Sequence, residues 1–176
     1  KSNIMVVGDD AQSIYKFRGS DIKYIWNFSE EFKPNKKVSR SDLAKYLVKI
    51  TGLTQKKHSQ SFEDISNKDK NYGYIQNVVS NKLLNGMTKT TFEPDGNVTK
   101  LQAIIVASRL LPNLTNEEYN SISLPFTDIS KYKWATKDLQ KAYHYKIVGK
   151  NRSLNPKKII TNAELVSLLY KTVPSL

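Results

Sequence analysis

The chain has 176 residues, enough for one domain or two small ones, and 39% are hydrophobic, enough for a modest core. No stretch reaches the ~18 consecutive apolar residues of a transmembrane helix, the start lacks the basic-then-apolar layout of a signal peptide, and the lack of cysteine excludes disulfides and thiolate metal sites. The net charge of +12 is uneven: residues 1–31 carry −1 and the rest +13, a surplus that favours nucleic acid, acidic polysaccharide or anionic lipid as partner.

Lys outnumbers Arg 24 to 4, so solvated lysine faces are the plain alternative for much of this charge. His58 and His144 lie 86 residues apart and give no metal-ligand spacing. No metal and no cofactor is expected.

The first element is "NIMVVGDDAQSIYKFRGSDI", Asn3 to Ile22. Its apolar run Ile4–Val7, stopped by Gly8, reads as a buried strand handing over to a loop. The string Val6–Ile22 resembles motif III of the UvrD/PcrA/Rep-like superfamily 1 helicases. That resemblance implies Gln12 as sensor of a terminal phosphate, with Tyr15, Phe17 and Arg18 facing single-stranded DNA. It covers about 28 of 176 residues. The chain has no G-x-x-x-x-G-K-[ST] phosphate loop: its Gly149-Lys150 pair lacks the upstream Gly and the following Ser or Thr. The family's Mg-binding acidic motif is missing too, so residues 1–31 are read as a vestigial strand–loop–helix fragment and the chain as no enzyme. Val6, Val7, Ile14, Ile22 and Ile25 are expected to patch a neighbouring apolar face.

After residue 31 the sequence repeats. Phe62, Asp64, Ile65 and Ser66 align with Phe126, Asp128, Ile129 and Ser130 at an offset of 64. Pro94, Val98 and Thr99 align with Pro156, Ile160 and Thr161 at an offset of 62. Upstream, Phe32 and Pro34 align with Phe92 and Pro94 at an offset of 60, giving a third copy of the second half only.

Each second half carries a helix-start signature. Thr99 with Gln102 and Thr161 with Glu164 are capping boxes, and Ser39 with Asp42 is a shorter version. Val38 with Leu43, Val98 with Ala103 and Ile160 with Leu165 stand at hydrophobic-staple positions. Apolar faces follow at helical spacing: Leu43, Leu47 and Ile50; Ile104, Ile105 and Leu111; Leu165, Leu168 and Leu169. Gly52 marks a helix stop. The first halves predict helices over Lys70–Lys82 and Trp134–Tyr145, with "DIS" before each supplying caps, and a turn-rich loop follows each.

This pattern resembles the S-layer homology (SLH) domain of bacterial surface proteins, on "FTDISKYKWA", "SLNPKKIITNAE", "NGMTKTTFEPDGNVTKLQ" and "EFKPNKKVSRSDLAKYLVKITGL". The resemblance implies a mainly α fold of tandem helix–loop–helix repeats in a pseudo-threefold arrangement. Its units would be a partial repeat at 32–57 and repeats at 58–113 and 122–174, after the fragment at 1–31. It also implies a non-catalytic anchor for an anionic, often pyruvylated, secondary cell wall polysaccharide on peptidoglycan. Such a ligand calls for a cation, helix N-terminal amides and a flat surface.

By position in the family, the cation after the cap is Arg40, then Lys100, while Asn162 has lost the charge. Trp134 keeps the family's Trp, and Lys70 holds that place in the second unit. Gly86 matches the loop Gly, where the third unit has Lys150. Asp64, Asp128, Thr99 and Thr161 complete the candidate polysaccharide site. The aspartates are expected mainly as local caps, and Trp134 has a packing role as its competitor. Tyr72, Tyr74, Tyr143 and Tyr145 receive no groove assignment.

Three functions follow: a wall-binding module at the cell surface, a UvrD-like helicase fragment, or a non-specific basic nucleic-acid binder. Nucleic acid is the less favoured partner. The helicase-like part belongs to the cytoplasm and the repeats to the cell exterior. Their seam falls near Ser29–Pro34, so a hybrid reading frame is expected: a recombined gene, a degraded locus or an assembly artefact.

Overall fold

A computed structural model describes residues 33–54 and 61–172. Gln12, Tyr15, Phe17, Arg18, the apolar residues between Val6 and Ile25, and His58 lie outside them. The described part is mainly α-helical: α1 (Arg40–Thr51), α2 (Tyr72–Ser80), α3 (Lys100–Arg109), α4 (Asn116–Ser121), a 3-10 segment (Ser130–Ala135), α5 (Thr136–His144) and α6 (Asn162–Tyr170).

The three second-half helices start as their sequences dictate. Ser39, Thr99 and Thr161 each sit in extended backbone, accept the amide three residues on, and receive the Asp42, Gln102 or Glu164 side chain on their own amide. Gly52 ends α1 in the left-handed conformation, φ 64°. A fourth capping box, Thr115 with Glu118, opens α4, an element the repeat pattern does not announce.

The first-half helices are shorter than expected, and they start without a side-chain cap: neither Asn71 before α2 nor Ala135 before α5 makes one. Trp134 lies in the 3-10 segment rather than in the α-helix, and Tyr132 (φ −118°, ψ 33°) has non-helical backbone within that segment. The "DIS" aspartates act elsewhere. Asp64 accepts the amides of Phe92 (2.9 Å) and Glu93 (2.7 Å). Asp128 accepts those of Leu154 (2.9 Å) and Asn155 (2.8 Å) and the Ser153 hydroxyl. Glu93 (φ 59°) and Asn155 (φ 56°) are both left-handed, so each carboxylate holds a strained loop residue in place. Lys82 and Lys146, both at φ 59°, are a second such pair at the repeat offset.

The capped helices meet at their N-termini. Val98 N–H donates to Val38 C=O (2.9 Å), Ile160 to Val98 (3.1 Å) and Val38 to Ile160 (3.0 Å), closing a ring of three buried staple residues. Around it, the first two amides of each helix donate to the loop of the next segment. Arg40 and Ser41 reach Gly96 and Pro94, Lys100 and Leu101 reach Lys158 and Pro156, and Asn162 and Ala163 reach Lys36 and Pro34. The recurrent prolines therefore supply carbonyl acceptors to a neighbouring helix.

The core grows outward from this ring. Leu43, Leu47, Phe92, Ile104, Leu139, Leu154 and Leu165 are fully buried. α1 packs on α2, and α3 on α5 and α6. Ser108 of α3 bonds Asp138 of α5 (2.7 Å), and the buried Lys141 amine donates to Asn113 (3.1 Å). Ile50 and Leu168, expected on core faces, are only half-buried. Tyr72, Tyr74, Tyr143 and Tyr145, which have no groove assignment, are half-buried against the core. No helix among the described residues is long and apolar enough to cross a membrane.

Candidate ligand-binding cleft

Arg40 is the first residue of α1 and is buried, with 6% exposure. Its Nε donates to the Phe92 carbonyl (2.6 Å) and an Nη to the Asn85 carbonyl (2.7 Å), while the guanidinium lies 4.5 Å from the Phe92 ring centroid. Burial pulls its pKa below the ordinary value, and the nearby Glu93 and Asp64 carboxylates oppose that. An arginine keeps its charge through such shifts. The side chain thus ties a first-half loop to α1 and still carries a full positive charge.

Arg40 lines a cleft of about 150 Å³ assembled from four parts of the chain. Arg40 comes from α1, Asn85 and Gly86 from the turn after α2, Gln102 and Arg109 from α3, and Trp134 from the 3-10 segment. Leu43, Leu84 and Ile105 add apolar wall, and no carboxylate lines it among the described residues. Trp134 is 69% exposed, so its ring is not consumed by packing between units. It offers a flat apolar face beside a guanidinium, the pairing that suits a sugar bearing an anionic group.

Gly86 is required by space. A Cβ there would stand 2.5 Å from both Phe62 Cε1 and the Thr88 carbonyl, and 2.8 Å from the Thr91 carbonyl. The backbone can approach its neighbours this closely only without a side chain.

The other sequence candidates fall outside this cleft. Lys100 is half-buried at the start of α3 and faces the α6 cap. There, burial pushes the Glu164 carboxyl up, but Lys158, the Thr161 amide and then Lys100 hold it below its ordinary value. Thr99 and Thr161 are occupied as caps. Asp64 and Asp128 feel burial first, yet the loop amides they accept keep both carboxyls below the usual range. Asn162 is 2% exposed and donates from Nδ2 to the Lys33 carbonyl (2.9 Å), while its Oδ1 has no partner among the described residues. One expectation is corrected. The helix N-terminal amides are not available to an anion, because loop carbonyls take the first two and the cap hydroxyl the third.

Arg109 and Asn85 were not foreseen. Helical spacing alone could have found Arg109, since Gln102, Ile105, Val106 and Arg109 recur at i, i+3, i+4 and i+7 on one face of α3. Asn85 offers its backbone, which no side-chain pattern reveals.

Comparison with known proteins agrees with the repeat pattern. Residues 61–104 and 125–166 match the S-layer homology domain, and residues 1–33 match the UvrD/REP helicase N-terminal domain. The chain is 30% identical over 118 residues to an endoglucanase of Bacillus sp. (strain KSM-635), an alignment covering 66% of this chain and 12% of that protein. It is 29% identical over 119 residues to exoglucanase XynX of Acetivibrio thermocellus, covering 65% and 10%. With endo-1,4-beta-xylanase A of Thermoanaerobacterium saccharolyticum it shares 30% over 113 residues, covering 62% and 9%. The alignments therefore span about a tenth of each relative. Repeats of this kind are non-catalytic modules that anchor cell-surface proteins. Residues 61–104 and 125–166 are S-layer homology repeats, carried in one sequence behind a helicase-type N-terminal segment.

Proposed function

We propose that this chain is a cell-wall-binding module that holds a surface protein on an anionic secondary cell wall polysaccharide attached to peptidoglycan, with a pyruvylated sugar as the group recognised. The carrying observation is the cleft that gathers Arg40, Gly86 and Trp134 from three distant stretches of sequence. Arg40 supplies the charge-assisted hydrogen bonds to a carboxylate, Trp134 stacks on the sugar ring, and Gly86 lets the loop that carries the Asn85 carbonyl pack tightly beside them. Asp64 and Asp128 contribute by shaping the loops.

The ring of Val38, Val98 and Ile160 supports a pseudo-threefold arrangement in which 32–57 is a partial repeat and 58–113 and 122–174 are whole ones. Of the three positions after a cap, that of Arg40 is equipped for an anion, that of Lys100 has a point charge, and that of Asn162 has none. Thr99 and Thr161 serve there only as helix caps.

The test is retention of the chain on purified sacculi carrying pyruvylated polysaccharide, against sacculi stripped of pyruvate and against a charge-matched control protein. Retention is expected to depend on pyruvate and to fall sharply in Arg40→Lys and Trp134→Ala. Retention no greater than that of the control removes this reading. Salt-sensitive retention on DNA exceeding that on sacculi would favour the basic nucleic-acid binder instead. Micromolar ATP binding would restore the helicase reading suggested by residues 1–33.

A further inference from the structure

The cleft contains a second guanidinium. Arg109 closes α3, its Nη donates to the Leu83 carbonyl (2.8 Å), and it lines the same cleft as Arg40. Arg40 holds the Asn85 carbonyl, so the two guanidiniums are anchored on acceptors only two residues apart, at most about 7 Å along the chain.

Tethering alone does not call for arginine. Lys171, at Arg109's place in the following unit, makes the equivalent contact to the Ile147 carbonyl (3.3 Å) with an amine. The two acceptors, Leu83 and Ile147, stand at the repeat offset of 64. An amine satisfies a single carbonyl, whereas a guanidinium can hold one with one edge and present its remaining N–H donors to a planar oxyanion. Among the described residues, Leu83 is the partner of the Arg109 side chain. Two guanidiniums line this cleft, and among its described lining residues there is no carboxylate, so an entering anion would meet two cations there.

We propose that Arg109 is a second anion contact of the cleft. With Arg40 it forms a paired clamp that recognises an oxyanion-bearing glycan more tightly than one arginine could. This rests on the wall-binding reading above and adds to it a residue that sets affinity for the anionic group.

The discriminating variant is Arg109→Lys, which keeps a cation and the Leu83 tether, as Lys171 does at Ile147. Binding of soluble pyruvylated wall polysaccharide is measured by calorimetry at a temperature where circular dichroism shows wild type and variant fully folded, so lost stability cannot pass for lost affinity. Lys171→Met serves as the tether-only control and is expected to lower the melting temperature without changing affinity. Arg109→Lys is expected to weaken binding on the order of tenfold, with little change for the same polymer stripped of pyruvate. Unchanged affinity in Arg109→Lys overturns the clamp while leaving wall binding intact. An equal loss in Lys171→Met also overturns it, since the tether would then be the whole effect. No binding by the wild-type chain removes both readings.

Discussion

Arg40 and Asn162 occupy the same place, the first residue of a helix behind a capping box, and both are buried. Arg40 spans two carbonyls of another segment and charges a cleft. Asn162 reaches one carbonyl, of Lys33, and its own Oδ1 has no partner among the described residues. α1 and α3 are each covered by a first-half helix, α2 and α5, whereas α6 has no comparable partner among the described residues. The ring of caps is thus closed equally at three junctions, while the groove outside it is built where a first-half element arrives with its loop and a neighbouring 3-10 turn. Cap geometry is local and repeats with the sequence. The cleft at Arg40 draws on four separate stretches of chain.

The comparison can be broken most severely at Arg40. Arg40→Ala leaves the Phe92 and Asn85 carbonyls without their donor and removes packing against the Phe92 ring. A loss of about 2–3 kcal/mol in urea unfolding is expected, together with loss of wall retention. A loss under about 0.5 kcal/mol would mean that the side chain does not tie these loops.

Acid titration asks the same question of the loops. Asp64 and Asp128 have folded-state pKa values below the ordinary 3.8, held there by the amides they accept against the opposing effect of burial. A depressed carboxyl contributes stability that is present above its unfolded pKa and is lost as pH falls through the folded one. The melting temperature should therefore hold above the ordinary carboxylate range and fall below it. The double variant Asp64→Asn, Asp128→Asn should be less stable at neutral pH and should flatten the acid slope. An unaltered slope would count against these loop ties.

The smallest effect is expected at Asn162. Asn162→Ala removes one hydrogen bond to Lys33 and also an unpartnered buried oxygen, so the two terms offset to within about 1 kcal/mol. It should leave wall retention untouched. A drop as large as that of Arg40→Ala would show the two junctions to be energetically equivalent after all.

Much of this was legible in the sequence. Capping boxes and the Gly52 stop depend on neighbours within a turn, and both appear as the spacing requires. The S-layer homology repeats were legible because their loop and cap residues recur at fixed offsets. Local pattern misled at Asp64 and Asp128, which stand before helices but cap loops 25 to 29 residues onward. It misled again over the helix N-terminal amides, because a capped helix looks open in sequence until a neighbour's proline carbonyl fills it.

By itself the sequence determined the capped helices, their apolar faces, the repeat period and the cation at residue 40, since each follows from short-range chemistry. Tertiary structure decided what each buried polar group serves. It closed the ring through Val38, Val98 and Ile160, turned two aspartates into loop clamps, and brought Arg109 beside Arg40 and Trp134. Those outcomes join segments 25 to more than 120 residues apart, a range over which only packing and backbone hydrogen bonding choose the partners.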